Sequence, residues 1–312
     1  MPSLKLEDPA SLAGTTLYSD PKTIHDWIRP TFVYVPPNAS LDKGAINVVI
    51  WLHGWFVGSI TQLFKNDKAR MRQQVLASSK PVVLLAPYLG DGGDGDTETP
   101  YAVGGLKGNF GERYLDQVFK VLGDDHAGIR PGKIVIACHS GGGEAMRYLV
   151  DSLGRYKDQL VECWGFDCLY GGKPTPDDAN FWFDWVASSS KSLVVRYALS
   201  TVPQSVKLLL MKRGLADGDG DGDRRNPQAS DISALDIKLS VASAKSEDDL
   251  MDLASLAGMT KPPHPPKPGE RFVQKAAANL RKNTGWPKDQ MAMHYAAASD
   301  GLLERLKAAT FL

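Results

Sequence analysis

No apolar run in the chain approaches the roughly 18 or more residues of a helical membrane span, so none is expected. Net charge is missing too. Thirty-six basic and 36 acidic residues balance among 312. A chain so balanced has no global field to draw it to nucleic acid or to an anionic membrane surface. Cysteine is scarce, with only Cys138, Cys163 and Cys168. An odd, low count argues against a disulfide framework, and the spacing matches no dependable zinc pattern. Buried free thiols in strands are the expectation. Met1 to Leu17 has no basic start followed by an apolar core. No secretory leader is therefore expected, and a cytoplasmic location follows as the expectation. No internal repeat with a period of tens of residues is present.

What the chain does have is a series of short apolar runs. They are Val48–Leu52, Val82–Ala86, Ile134–Cys138, Val161–Phe166, Leu193–Leu199 and Leu235–Ala242. They are rich in Val, Ile and Leu, and most do not alternate with polar residues. Such runs fit strands buried on both faces, as in a parallel sheet covered by helices. Thr31–Val35, followed by Pro36-Pro37, reads as a further strand near the sheet edge. Between the runs lie helical patterns. Glu112–Leu122 places Leu115, Val118, Phe119 and Leu122 on one face, and Gly143–Leu153 and Leu302–Ala309 read as two more helices. Strand and helix alternate, which predicts an α/β layered fold.

Three segments interrupt the pattern: Asp91–Glu98, Asp217–Asp223 and Lys261–Gly269. The first two are acidic and glycine-rich, the third is proline-rich, and all read as loops. Residues 246–290 form a long excursion with helical patterns at Asp248–Leu256 and Arg271–Arg281. It is either a lid or cap near the site or an ordinary surface excursion.

The segment richest in chemistry is Lys133-Ile-Val-Ile-Ala-Cys-His-Ser-Gly-Gly-Gly143. A buried strand runs into a serine flanked by small residues, and a helix follows. A serine hydroxyl is a weak nucleophile until a base takes its proton. A sharp strand-to-helix turn exposes the oxygen and brings the next backbone N–H toward a developing oxyanion. Such a turn is crowded, so its neighbours must be small. A glycine-rich turn binding phosphate at a helix start is the alternative, but the spacing fits neither the P-loop nor the Rossmann fingerprint.

Here the sequence resembles the α/β-hydrolase superfamily, whose motif is G-x-S-x-G. Ser140 and Gly142 match the serine and the second glycine, and His139 fills the variable position. Cys138 departs from the first glycine. The resemblance implies an α/β-hydrolase fold over residues 1–312, with a mostly parallel central sheet, helices on both faces, and 246–290 as a possible lid-like excursion. It also implies an oxyanion loop after Val48-Val-Ile-Trp-Leu-His-Gly-Trp-Phe56. By that analogy His53-Gly54 supports the loop, and the donors are the N–H groups of Trp55 and Gly141. His53 is expected to hold the loop by hydrogen bonding. Of the six histidines, His294 stands just before the C-terminal helix, where the resembled family carries its base. Asp167 ends the strand after the elbow, in a segment similar to the D-x-x-Y-G found there in some bacterial hydrolases. Asp217, Asp231 and Asp236 are the alternatives for the acid. Ser140, Asp167 and His294 would follow the family's chain order.

Asp217-x-Asp219-x-Asp221-Gly222 resembles the start of a calcium loop, but Gln228 stands at the twelfth position, where a bidentate glutamate is needed. A solvated loop is the plainer reading, and neither metal nor cofactor is expected. The other acidic loop, Asp91–Glu98, would favour cationic substrates. The expected reaction is hydrolysis of a small-molecule or polymer-linked carboxylic ester. Peptide or amide cleavage on the same triad is the enzymatic rival. A non-catalytic binding protein on the same scaffold and a calcium-dependent binding module are the others. Oligomeric state is not legible.

Overall fold

The computed structural model describes residues 31–55, 57, 63, 69–90, 108–125, 128–168, 181–182, 184–186, 188–189, 191–197, 298–299 and 301–312, with strands also at 4–6, 15–19 and 239–243. The expectations for Asp91–Glu98, Asp217–Asp223, Lys261–Gly269 and residues 246–290 lie outside the described residues, as does His294.

Nine described strands make one sheet. In chain order they are β1 (Leu4–Leu6), β2 (Thr15–Ser19), β3 (Thr31–Val35), β4 (Ala45–Leu52), β5 (Val82–Pro87), β6 (Arg130–His139), β7 (Leu160–Phe166), β8 (Ser192–Tyr197) and β9 (Leu239–Ser243). In space the order is β1-β2-β3-β5-β4-β6-β7-β8-β9. Strands β1 to β3 pair antiparallel, and β3 also runs antiparallel to β5. The other six strands are mutually parallel. The sheet is therefore the predicted one in type, with an antiparallel extension at one side. Thr31–Val35 lies near the sheet edge as expected, third in, with β2 and β1 beyond it.

Four described helices follow: α1 (Met71–Ser78), α2 (Phe110–Asp125), α3 (Gly142–Asp151) and α4 (Gly301–Ala308). Side chains alternate across each strand, and the alternation sorts the core into two layers. Val48, Ile50 and Leu52 of β4 join Leu115, Phe119, Met146 and Leu149 of α2 and α3. Val49 and Trp51 face the other way and join Met71, Val75, Leu302 and Leu306 of α1 and α4. Each fully buried aliphatic side chain contributes about 1.5–3 kcal/mol, so neither face of the central strands tolerates polar residues. This explains their unbroken apolar sequence.

Two polar devices lock helices in place. Buried Ser152 receives the first N–H groups of α2: Gly111 N–H donates to its Oγ at 3.0 Å and Glu112 N–H to its carbonyl at 2.9 Å. Those are groups a helix N-terminus otherwise leaves without partners. Buried Gln74 of α1 does the same for α4. Its Nε2 donates to the carbonyls of Ala298 (2.9 Å) and Ala69, while its Oε1 accepts from Leu303 N–H at 2.7 Å. On the same face, Glu162 of β7 accepts from Trp164 Nε1 and from Arg305 Nη2, both at 2.5 Å.

Register brings the strand ends level. Leu52 lies opposite Cys138, and His139 lies opposite Phe166. The carboxyl ends of β4, β6 and β7 therefore deliver His53-Gly54, Ser140 and Asp167 to one edge of the sheet.

Candidate active site

At that edge β6 ends at His139 and α3 begins at Gly142. Ser140 makes the turn between them with φ +55°. A side chain in this left-handed region costs roughly 1–2 kcal/mol, and such strain persists only where surrounding contacts over-determine it. Those contacts are visible. Ser140 N–H donates to the Phe166 carbonyl at 3.2 Å, and the Ser140 carbonyl accepts from Gly143 N–H at 3.2 Å. The ten-residue helix α3 directs its positive end back at the turn.

The glycines around Ser140 are required by space. A methyl group at Gly142 would stand 2.4 Å from the Leu52 carbonyl oxygen, and one at Gly54 would stand 2.6 Å from Ser140 Cβ and 3.1 Å from its Oγ. A methyl group at Gly141 would reach Cδ1 and Nε1 of Trp55 at 2.8 Å. The loop after β4 is thus pressed against the elbow. Cys138 is fully buried and belongs to the α2–α3 core layer, so the motif's departure from glycine places a thiol in apolar packing. All three cysteines are free and buried. Cys138 and Cys163 lie in strands as expected; Cys168 lies just beyond β7.

His53 is buried and fixed at both ring nitrogens. Nε2 accepts from Leu89 N–H at 2.8 Å, which leaves Nδ1–H to donate to the Gly54 carbonyl at 2.6 Å. Its ring stacks on Tyr88, centroids 5.5 Å apart. Burial pushes its pKa down to about 4, partly opposed by the bond to Gly54. At neutral pH His53 is an uncharged strut joining the Gly54 loop to the chain after β5. Nothing in the sequence around Leu89 signals that role.

Asp167 is fully buried, with φ +40°, directly after β7 and level with Ser140 on the neighbouring strand. Buried His139 closes β6. The structure therefore gathers Ser140, Gly141, Gly142, His53, Gly54, Trp55, His139 and Asp167 at one edge. His294 and the acidic alternatives Asp217, Asp231 and Asp236 lie outside the described residues, as do Asp219 and Asp221 of the calcium-like loop. Among the described residues no cluster of metal-ligating side chains occurs, and no helix is long and apolar enough to cross a membrane.

A parallel sheet flanked by helices, with a strained serine on a strand-to-helix turn at its carboxyl edge, defines the α/β-hydrolase fold. No family model matches the chain, and no curated protein matches it. Solved structures do. An S-formylglutathione hydrolase from Agrobacterium tumefaciens is similar at 11% identity and TM-score 0.46, over 78% of this chain and 90% of that one. A putative dienelactone hydrolase from Klebsiella pneumoniae is similar at 13% identity and TM-score 0.46, over 88% and 98%. An acylaminoacyl peptidase from Pyrococcus horikoshii is similar at 11% identity and TM-score 0.44, over 90% and 45%. The fold class rests on this chain's own strand order and elbow.

Proposed function

We propose that the chain is a serine hydrolase that cleaves a carboxylic ester through an acyl-enzyme. The observation that carries this reading is Ser140 itself: a non-glycine residue at φ +55° between strand and helix, with Gly54 packed so closely that a methyl group there would meet its side chain.

In the proposed reaction Ser140 Oγ attacks the ester carbonyl carbon as His294 takes its proton. The carbonyl oxygen becomes an oxyanion held by the N–H groups of Trp55 and Gly141. Gly141 sits at the start of α3, where the helix dipole adds to its own N–H. Losing one such donor typically costs roughly 2.7–4 kcal/mol of barrier. The carbon–oxygen bond to the alcohol breaks, and His294 returns the proton to the leaving oxygen. Water then repeats the sequence on the acyl-enzyme and releases the acid. Asp167 orients His294 and stabilises its charged form. No cofactor enters any step.

His294 is supported by its place in the sequence, just before the C-terminal helix. Ala298, four residues on, is buried and anchored to Gln74 near the start of α1. Asp167 is supported by its place level with Ser140.

Rapid-mixing hydrolysis of a chromogenic ester tests the reading. A burst of alcohol equal to the enzyme concentration is expected, abolished in Ser140→Ala and His294→Ala. A matched amide should turn over more slowly. Steady turnover by a folded Ser140→Ala variant would overturn the mechanism.

A further inference from the structure

Trp55 is the exposed large apolar side chain among the described residues, with 49% of its surface in solvent. Single exposed apolar side chains are common and need no explanation by themselves. The place of this one is what matters. Gly54 packs so closely on Ser140 that a methyl group there would meet its Cβ first, and the next residue lays its indole against Gly141, the residue after Ser140. A methyl group on Gly141 would meet Cδ1, Nε1 and Cε2, all in the pyrrole half of the ring. The polar edge of the ring is therefore turned to the backbone, and the apolar benzenoid half extends from it. A carbonyl attacked by Ser140 and held at the Gly141 N–H would lie beside this ring, within reach of one of its substituents.

We propose that the Trp55 indole is a specificity surface for esters carrying a planar aromatic ring, on either the acyl or the alcohol side. This rests on the ester-hydrolase reading. A flat apolar ring stacks offset on an indole face and gains more than its buried area alone supplies. A puckered saturated ring of equal size cannot match that contact.

Matched pairs provide the test. Ethyl 3-phenylpropanoate against ethyl 3-cyclohexylpropanoate reads the acyl side, and benzyl acetate against cyclohexylmethyl acetate reads the alcohol side. The aromatic member should be favoured about 3- to 10-fold in kcat/KM in at least one pair. Trp55→Phe should keep that ratio, and Trp55→Leu should bring it near one. Because the ratio is taken within each variant, a general loss of rate from disturbing the loop cancels. Calorimetric binding of the same four esters to Ser140→Ala reads the surface without catalysis and should give the same preference. Ratios near one in both pairs, or a preference that survives Trp55→Leu, would overturn the proposal. Absence of any turnover by folded wild type would count against the hydrolase reading alone, since the binding ratio still decides on Trp55.

Discussion

Replacing Ser140 by glycine should make the protein more stable than replacing it by alanine, although both changes remove the hydroxyl. Alanine keeps a Cβ at φ +55°, so it keeps the roughly 1–2 kcal/mol penalty of a left-handed side chain. It also keeps the Cβ against which Gly54 is pressed. Glycine removes the penalty but has a more disordered unfolded state, which takes back roughly 0.5–1 kcal/mol. The difference between the variants should be about 0.5–1 kcal/mol in favour of glycine. For a chain of 312 residues, unfolding entropy near 2.1 cal/mol/K per residue turns this into only about 1–2 °C of melting temperature. Urea unfolding is the better assay. With a slope of about 3 kcal/mol/M, the midpoint of Ser140→Gly should lie about 0.2–0.3 M above that of Ser140→Ala. Equal midpoints, or alanine above glycine, would refute the claim that this position stores strain for the sake of its side chain.

Other outcomes follow from the same contacts. Gly54→Ala puts a methyl group 2.6 Å from Ser140 Cβ, so the serine must shift, and misplacement by about 1 Å typically costs about 100-fold in rate; ester kinetics on the folded variant check this. His53 gives a pH dependence of stability. The unfolded histidine binds a proton near 6.5, while burial holds the folded pKa to about 4. The unfolded chain therefore binds more protons between those values, and stability that is complete above the window falls as pH drops through it. At about 1.36 kcal/mol per unit the loss is about 3 kcal/mol. Urea unfolding at pH 7 and pH 4.5 should show His53→Gln losing less than wild type. Gln74→Leu leaves the Leu303 N–H and the Ala298 carbonyl without their partner, at about 1–3 kcal/mol for each buried group. Faster hydrogen exchange across α4, and destabilisation of about 2–6 kcal/mol, should follow.

How far the sequence discloses this molecule depends on which forces shape each part. The central strands were legible because burial on both faces demands unbroken Val, Ile and Leu. Their starts were less so: β6 begins four residues before Ile134, at Arg130, where Arg130 and Pro131 pair with Ala45 and Ile46. Strands β1 and β2 are three and five residues long and antiparallel, too short for an alternating pattern to stand out. Helix α1 was missed because its buried side includes Arg72, Gln74 and Ser78 beside Met71 and Val75, which dilutes the amphipathic signal. At the site, the elbow was legible because strain and crowding restrict residue type locally. The struts were not. Gln74 meets Ala298 across 224 positions, and His53 meets Leu89 across 36, and neither pair leaves a mark in local sequence.

The central claim is that Ser140 is an activated nucleophile. Its most direct test is reaction of the intact protein with a fluorophosphonate, followed by mass spectrometry of the adduct and its peptides. One adduct per chain is expected, located on Ser140, formed at a rate that falls sharply in His294→Ala and in Gly54→Ala. A folded protein that takes up no probe, or carries it on another residue with Ser140 unmodified, would contradict it.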